Sequence, residues 1–305
     1  MTPSSLYPDL PALRSFMLPV GSGHVLHVQE WGRADGMPAL VLHGGPGSGC
    51  SPLLARFFDP QRYRVICPDQ RGCGRSTPAA GLTDNTTADL LADLRQLRLA
   101  CGIAKWLVVG GSWGAALGLA HALDQPQAIE GLLLRSTFLS RASDIDGFFN
   151  GAPERLVQRW RTLPEASVPE VADLAALWRA WEQVRSGMPV SPAPGGQELD
   201  AIVRRFRVQS HYLRAGCWLQ APGLLERSNG LPQVPTLLLH GTDDRVCRPE
   251  AALALRTAVP QSRLRWAEDA GHDPTQPAMV HLMVDALDSF AAHGSFEMAK
   301  VAQVP

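Results

Sequence analysis

The chain has 305 residues, 45% of them hydrophobic, and a formal net charge of −1. That length fits one large domain, or a core domain carrying an insertion, and the near-zero charge excludes an electrostatic footprint for nucleic acid or an anionic membrane. No run of about 18 apolar residues occurs, so no membrane-spanning helix is expected.

Met1–Pro8 shows no basic region followed by an apolar stretch, which argues against a signal peptide and for a cytoplasmic location. Short apolar runs then alternate with helical stretches. Strands are predicted at Pro38–Leu42, Tyr63–Cys67, Trp106–Val109, Gly131–Leu134, Thr236–Leu239 and Leu264–Trp266. Several are nearly all apolar, as strands of a parallel sheet covered on both faces are. Helices are predicted at Ala88–Leu99, where Leu90, Leu91, Leu94 and Leu97 follow a helical spacing, from Ala115 to Leu123, and at Ala278–Phe290. The alternation predicts the α/β class, with a mostly parallel central sheet and helices on both faces.

The pattern breaks between Phe138 and Asn229. That stretch lacks strong strand signals and holds Trp160, Trp178, Trp181 and Trp218, half of the chain's eight tryptophans. Pro192-Ala193-Pro194-Gly195-Gly196 reads as a loop between helices. Residues 138–229 are therefore read as a helical cap inserted into a core of residues 1–137 and 230–305. Its aromatics either pack on one another or line a substrate pocket. The basic run Arg204-Arg205-Phe206-Arg207 reads as a solvated helix face or a set of local ion pairs. The tail Gly294–Pro305 is expected to fray. Cys50, Cys67, Cys73, Cys101, Cys217 and Cys247 are scattered without a C-x-x-C pair, which predicts reduced thiols rather than a disulfide framework or a zinc site.

The chemistry centres on Val109-Gly110-Gly111-Ser112-Trp113-Gly114, set between a strand and an Ala/Leu-rich helix. Strand, Gly-x-Ser-x-Gly, helix is the setting of a nucleophile elbow, in which a sharp turn projects the serine above a sheet. A serine hydroxyl is a poor nucleophile without an adjacent base, and the base needs an orienting acid. With such an elbow the chain order is Ser, then Asp or Glu, then His. His272, after the strand around Trp266, is the base; Asp244, after Thr236–Leu239, is the acid, with Asp243 its competitor. An oxyanion hole needs two backbone N–H groups. Trp113 follows the nucleophile and supplies one; Gly45 of Leu42-His43-Gly44-Gly45-Pro46-Gly47, or its neighbour Gly44, supplies the other. His121 is expected in a core or surface role, and His211 within the cap.

His43-Gly44-Gly45-Pro46-Gly47, Asp69-Gln70-Arg71-Gly72-Cys73-Gly74-Arg75-Ser76, Gly110-Gly111-Ser112-Trp113-Gly114, His240-Gly241-x-x-Asp244-x-Val246-Cys247 and Gly271-His272 together resemble the proline iminopeptidases, prolyl aminopeptidases of the α/β-hydrolase fold. The resemblance covers most of the chain and favours Asp244 over Asp243. It implies a serine peptidase that removes N-terminal proline from a small peptide or aminoacyl amide, with no metal or organic cofactor. It also implies carboxylates that hold the substrate's charged imino group. Glu182, in Trp178-Arg179-Ala180-Trp181-Glu182, matches one; the second family glutamate, before a His-Tyr pair, is Gln209 here. Arg135 and Phe138 match further residues near the family's site. Phe149, in Gly147-Phe148-Phe149, falls where the family carries a Trp-Phe-Tyr run, so a tyrosine hydroxyl is missing. Gln209 and Phe149 motivate a rival reading, an esterase or amidase of the same fold without a strict free-amine requirement. Because Gln209 stands where the family carries a carboxylate, Gln209→Glu is expected to improve use of free-amine substrates. Epoxide hydrolase and dehalogenase chemistry wants a carboxylate where Ser112 stands, and an intact triad argues against a non-catalytic sensor.

Overall fold

The computed structural model describes residues 5–165, 168–219 and 221–297. Met1–Ser4 and the end of the tail, from residue 298, lie outside the described residues. The strands are β1 (Arg14–Gly21), β2 (His24–Gly32), β3 (Met37–Leu42), β4 (Tyr63–Pro68), β5 (Trp106–Gly111), β6 (Ile129–Arg135), β7 (Thr236–Gly241) and β8 (Arg263–Ala267). They form one sheet in the order β1-β2-β4-β3-β5-β6-β7-β8. β2 is antiparallel to β1 and to β4, and every later pairing is parallel.

Alternation along the parallel strands builds two cores, because successive side chains point to opposite faces. Leu40, Leu42, Val108, Leu132, Leu134 and Leu238 join one core; Ala39, Val41, Leu107, Val109, Leu133 and Leu237 join the other. Helices α1 (Pro52–Ala55), α2 (Thr87–Ala100) and α3 (Trp113–Asp124) follow the early strands. α2 starts at a capping box, in which Thr86 and Asp89 satisfy each other's backbone N–H groups. Leu90, Leu94 and Leu97 of α2 and most of α3 bury into the first core. Between β6 and β7 come α4 (Ala142–Phe149), α5 (Glu154–Arg161), α6 (Val168–Arg185) and α7 (Gly196–Arg214). α8 (Pro249–Ala258) adds Ala251 and Leu255 to the first core, and α9 (Pro277–His293) packs Met279, Met283, Leu287 and Phe290 into the second.

Each of the six predicted strands is present, extended by one to three residues. β1 and β2 escape the sequence reading because their pattern is not apolar. β2 buries His24, His27, Gln29 and Glu30. Glu30 lies buried because Arg14 (2.6 Å) and Arg64 (3.0 Å) pair with its carboxylate. The thiols also depart from expectation. Cys50 and Cys67, 17 residues apart, are joined in a disulfide, while Cys73, Cys101, Cys217 and Cys247 are free and buried. Their spacing hides this pairing: the loop leaving β3 returns beside the end of the neighbouring β4. Among the described residues no helix is long and apolar enough to cross a membrane.

Candidate active site

Ser112 sits between the end of β5 and the start of α3 with φ 58° and ψ −121°. A non-glycine residue holds such a backbone only when its surroundings impose it. Here the Ser112 N–H donates to the Arg135 carbonyl at 3.0 Å, pinning the turn to β6. The flanking glycines are sterically required. A Cβ at Gly110 would fall 2.2 Å from the Gly114 oxygen, and one at Gly114 would fall 2.1 Å from the Leu42 oxygen.

The loops after β7 and β8 bring Asp244 and His272 together. His272 Nδ1 lies 2.9 Å and 3.1 Å from the two Asp244 carboxylate oxygens. Asp244 is buried and Asp243 exposed, so the competitor for the acid position faces solvent. Asp244 Oδ1 also accepts the backbone N–H groups of Val246 and Cys247, both at 2.9 Å. Burial alone would raise the Asp244 pKa; the His272 charge and these hydrogen bonds outweigh it and hold the carboxyl well below the usual range. His240, beside it, accepts the Thr137 N–H on Nδ1 and donates from Nε2 to the Cys247 carbonyl at 2.8 Å. Burial lowers its pKa and keeps it neutral. The Ser112 hydroxyl points at Cys247 Sγ, 3.6 Å away, and makes no hydrogen bond to His272 among the described residues. Such bonds are often open before substrate binds. Burial pushes the Cys247 thiol pKa up, so it stays protonated and does not compete as a nucleophile.

Facing the elbow is the loop after β3. His43 Nδ1 donates to the Gly44 carbonyl at 2.9 Å, while its Nε2 accepts the Gln70 N–H at 3.0 Å. In a trans peptide C=O and N–H point oppositely, so this bond turns the Gly45 N–H away from His43. Gly45 has φ +118°, a conformation that favours glycine. Trp113 is the first residue of α3, where the N–H has no intrahelical acceptor. Neither the Gly45 nor the Trp113 backbone N–H donates to a protein acceptor among the described residues. Gln70 locks the two lobes together, donating to the His43 carbonyl at 3.1 Å and accepting the Trp113 indole N–H at 2.8 Å.

A cavity of about 260 Å3 opens above Ser112. Gly44, Gly45, Trp113, Arg135, Phe138 and His272 line it from the sheet side, and Phe148, Glu182 and Arg205 from α4, α6 and α7. Arg135 spans to the histidine loop, donating to the His272 carbonyl at 2.7 Å. Glu182 accepts the Arg205 guanidinium at 2.6 Å on one oxygen and the Gln209 amide at 3.2 Å on the other. The same Gln209 nitrogen donates to the Gly45 carbonyl at 3.2 Å.

A family model for the alpha/beta hydrolase fold matches residues 38–275. The proline iminopeptidase of Xanthomonas citri is 35% identical over 94% of this chain and 99% of its own length. That of Neisseria meningitidis serogroup B (strain MC58) is 35% identical over 94% and 99%. The chain belongs to the proline iminopeptidase family. It is an α/β hydrolase by sequence and by fold. Among solved structures, an esterase from Rhodococcus sp. ECU1013 superposes with a TM-score of 0.67 at 21% identity, covering 92% of this chain and 98% of its own. At that identity the likeness speaks for the fold alone.

Set beside the proline iminopeptidase pattern, the pocket differs from the sequence reading in three places. Phe138 lines the cavity as expected, but the second aromatic wall is Phe148 rather than Phe149. Phe149 packs edge-on against Trp160 at 5.1 Å and beside Trp178 at 5.7 Å. Trp178 and Trp181 stack at 4.7 Å, so these tryptophans pack on one another. The second is Gln209, which bonds Glu182 but does not itself line the cavity, and the third is Arg205, which does. It lies four residues before Gln209, a spacing that puts both on one face of α7. That spacing is the signal that could have placed it at the site.

Proposed function

We propose that the protein is a serine aminopeptidase that releases an N-terminal residue, preferably proline, from peptides through an acyl-enzyme. Ser112 attacks the carbonyl of the N-terminal residue as His272 takes its proton. Asp244 orients His272 and stabilises its imidazolium. The Gly45 and Trp113 N–H groups hold the oxyanion, His272 returns the proton to the leaving amine, and water then hydrolyses the ester. Helices α4–α7 act as a cap that closes the acyl pocket. There Phe138 and Phe148 flank the proline ring, and Glu182, steadied by Gln209, anchors the charged imino group. Arg135 holds the histidine loop in place.

The observation that carries this reading is the Asp244–His272 pair at 2.9 Å, set at the cavity that the strained Ser112 also lines. A second reading, an esterase or amidase indifferent to a free amine, draws on Glu182 being already paired with Arg205. Prolyl and N-acetylprolyl 4-nitroanilides separate the two. The aminopeptidase reading expects preference for the free imino substrate; equal kcat/KM for both would contradict it.

A further inference from the structure

The cavity's charge does not suit a cationic substrate as it stands. Three arginines line it, Arg135, Arg179 and Arg205, against two carboxylates, Glu182 and Asp273. Asp273 is committed to its own turn, accepting the Thr275 N–H at 2.9 Å and its hydroxyl at 2.8 Å. Arg179 is drawn outward to Glu198 at 2.8 Å, and Arg135 is held by the His272 carbonyl. Arg205 alone of the three takes a carboxylate of the cavity, and each Glu182 oxygen then already accepts one hydrogen bond. An ammonium or imino cation can reach Glu182 only by sharing or displacing the guanidinium, against its like charge. The Arg205 side chain is 34% exposed and that of Glu182 12%, so solvent offers the arginine a way out that the glutamate lacks.

We infer that Arg205 is a specificity-determining residue, an internal counter-ion that competes with the substrate's charged N-terminus for Glu182. This rests on the aminopeptidase reading of the same cavity. That competition weakens binding of free-amine substrates before any chemistry, so Arg205 acts on KM more than on kcat. It also narrows the gap between substrates with and without a free amine.

The test compares KM for prolyl and N-acetylprolyl 4-nitroanilides in the wild type, Arg205→Met and Arg205→Lys, with active sites counted by a serine-directed phosphonate. In Arg205→Met the ratio of the N-acetyl to the free-imino KM rises about tenfold, mostly through a lower KM for the prolyl substrate. Arg205→Lys keeps the cation and leaves the ratio near the wild-type value. A ratio that stays flat or falls in Arg205→Met, with the phosphonate still bound stoichiometrically, overturns the inference alone. A ratio that rises equally in Arg205→Lys also overturns it, since charge would then not be the cause. Loss of phosphonate labelling in the wild type overturns the serine-hydrolase reading, and the inference with it.

Discussion

The hydrogen bonds of Gln209 in the folded protein change what its replacement is expected to do. The sequence puts a neutral amide where the family carries a carboxylate, which suggests that restoring the charge would help an amine bind. In the folded protein the amide nitrogen donates to two oxygens, the Gly45 carbonyl and the Glu182 carboxylate. Its own Oε1 is buried with no partner among the described residues. A glutamate there sets acceptor against acceptor on both sides. A buried polar group without a partner costs roughly 1–3 kcal/mol. Gln209→Glu is therefore expected to lower kcat/KM for prolyl amides by about tenfold or more, reversing the expectation from sequence. A steady-state comparison with the wild type decides it, and a gain in the variant would show that the amide's two bonds do not matter. Asp244 and His272 were legible because their order and strand-end positions follow from the chemistry. Arg205 was not, because an ion pair between two helices leaves no motif.

At the level of elements, the Asp69–Ser76 run braces the loops around the site. Asp69 is buried and accepts the backbone N–H groups of Cys50 and Arg75, at 2.5 Å and 3.0 Å. A Cβ at Gly74 would lie 2.5 Å from its carboxyl carbon, so glycine leaves room for that turn. Gln70 then joins the loop after β3 to the first turn of α3, the two elements that carry the proposed oxyanion donors. Gln70→Leu strands the His43 carbonyl and the Trp113 indole. The expected result is a kcat roughly tenfold lower or worse with KM changed less than about threefold, since the donors act on the transition state. A variant that raises KM and spares kcat would place Gln70 in ground-state binding instead. The parallel strands were legible as apolar runs because both of their faces are covered. β1 and β2 were not, because β2 buries polar side chains that are satisfied only by partners distant in sequence, such as Asp69 against His27 at 3.1 Å.

Across the whole molecule, several histidines are folded into the core as neutral rings. Burial lowers the pKa of His121 from 6.5 to about 4, and its Nε2 accepts the Trp106 indole N–H at 3.1 Å. Burial lowers His43 and His240 in the same direction. A histidine whose folded pKa is depressed contributes stability above its unfolded value of about 6.5, and that stability is lost as pH falls toward the folded value. For His121 alone the difference amounts to about 3 kcal/mol. Unfolding free energy from denaturant titration should fall steadily between pH 7 and pH 4, through a window set by these histidines; a flat profile would mean they are charged in the native state. The alternating sheet that buries them also sets Ser112, Asp244 and His272 at the ends of three strands. Whether that arrangement works as a serine nucleophile is tested most directly by mass spectrometry of the intact protein after treatment with a serine-directed phosphonate. One adduct per chain, located by peptide mapping at Ser112 and absent in Ser112→Ala, is the expected result. A folded wild type that takes up no adduct, or takes it up at another residue, would contradict it.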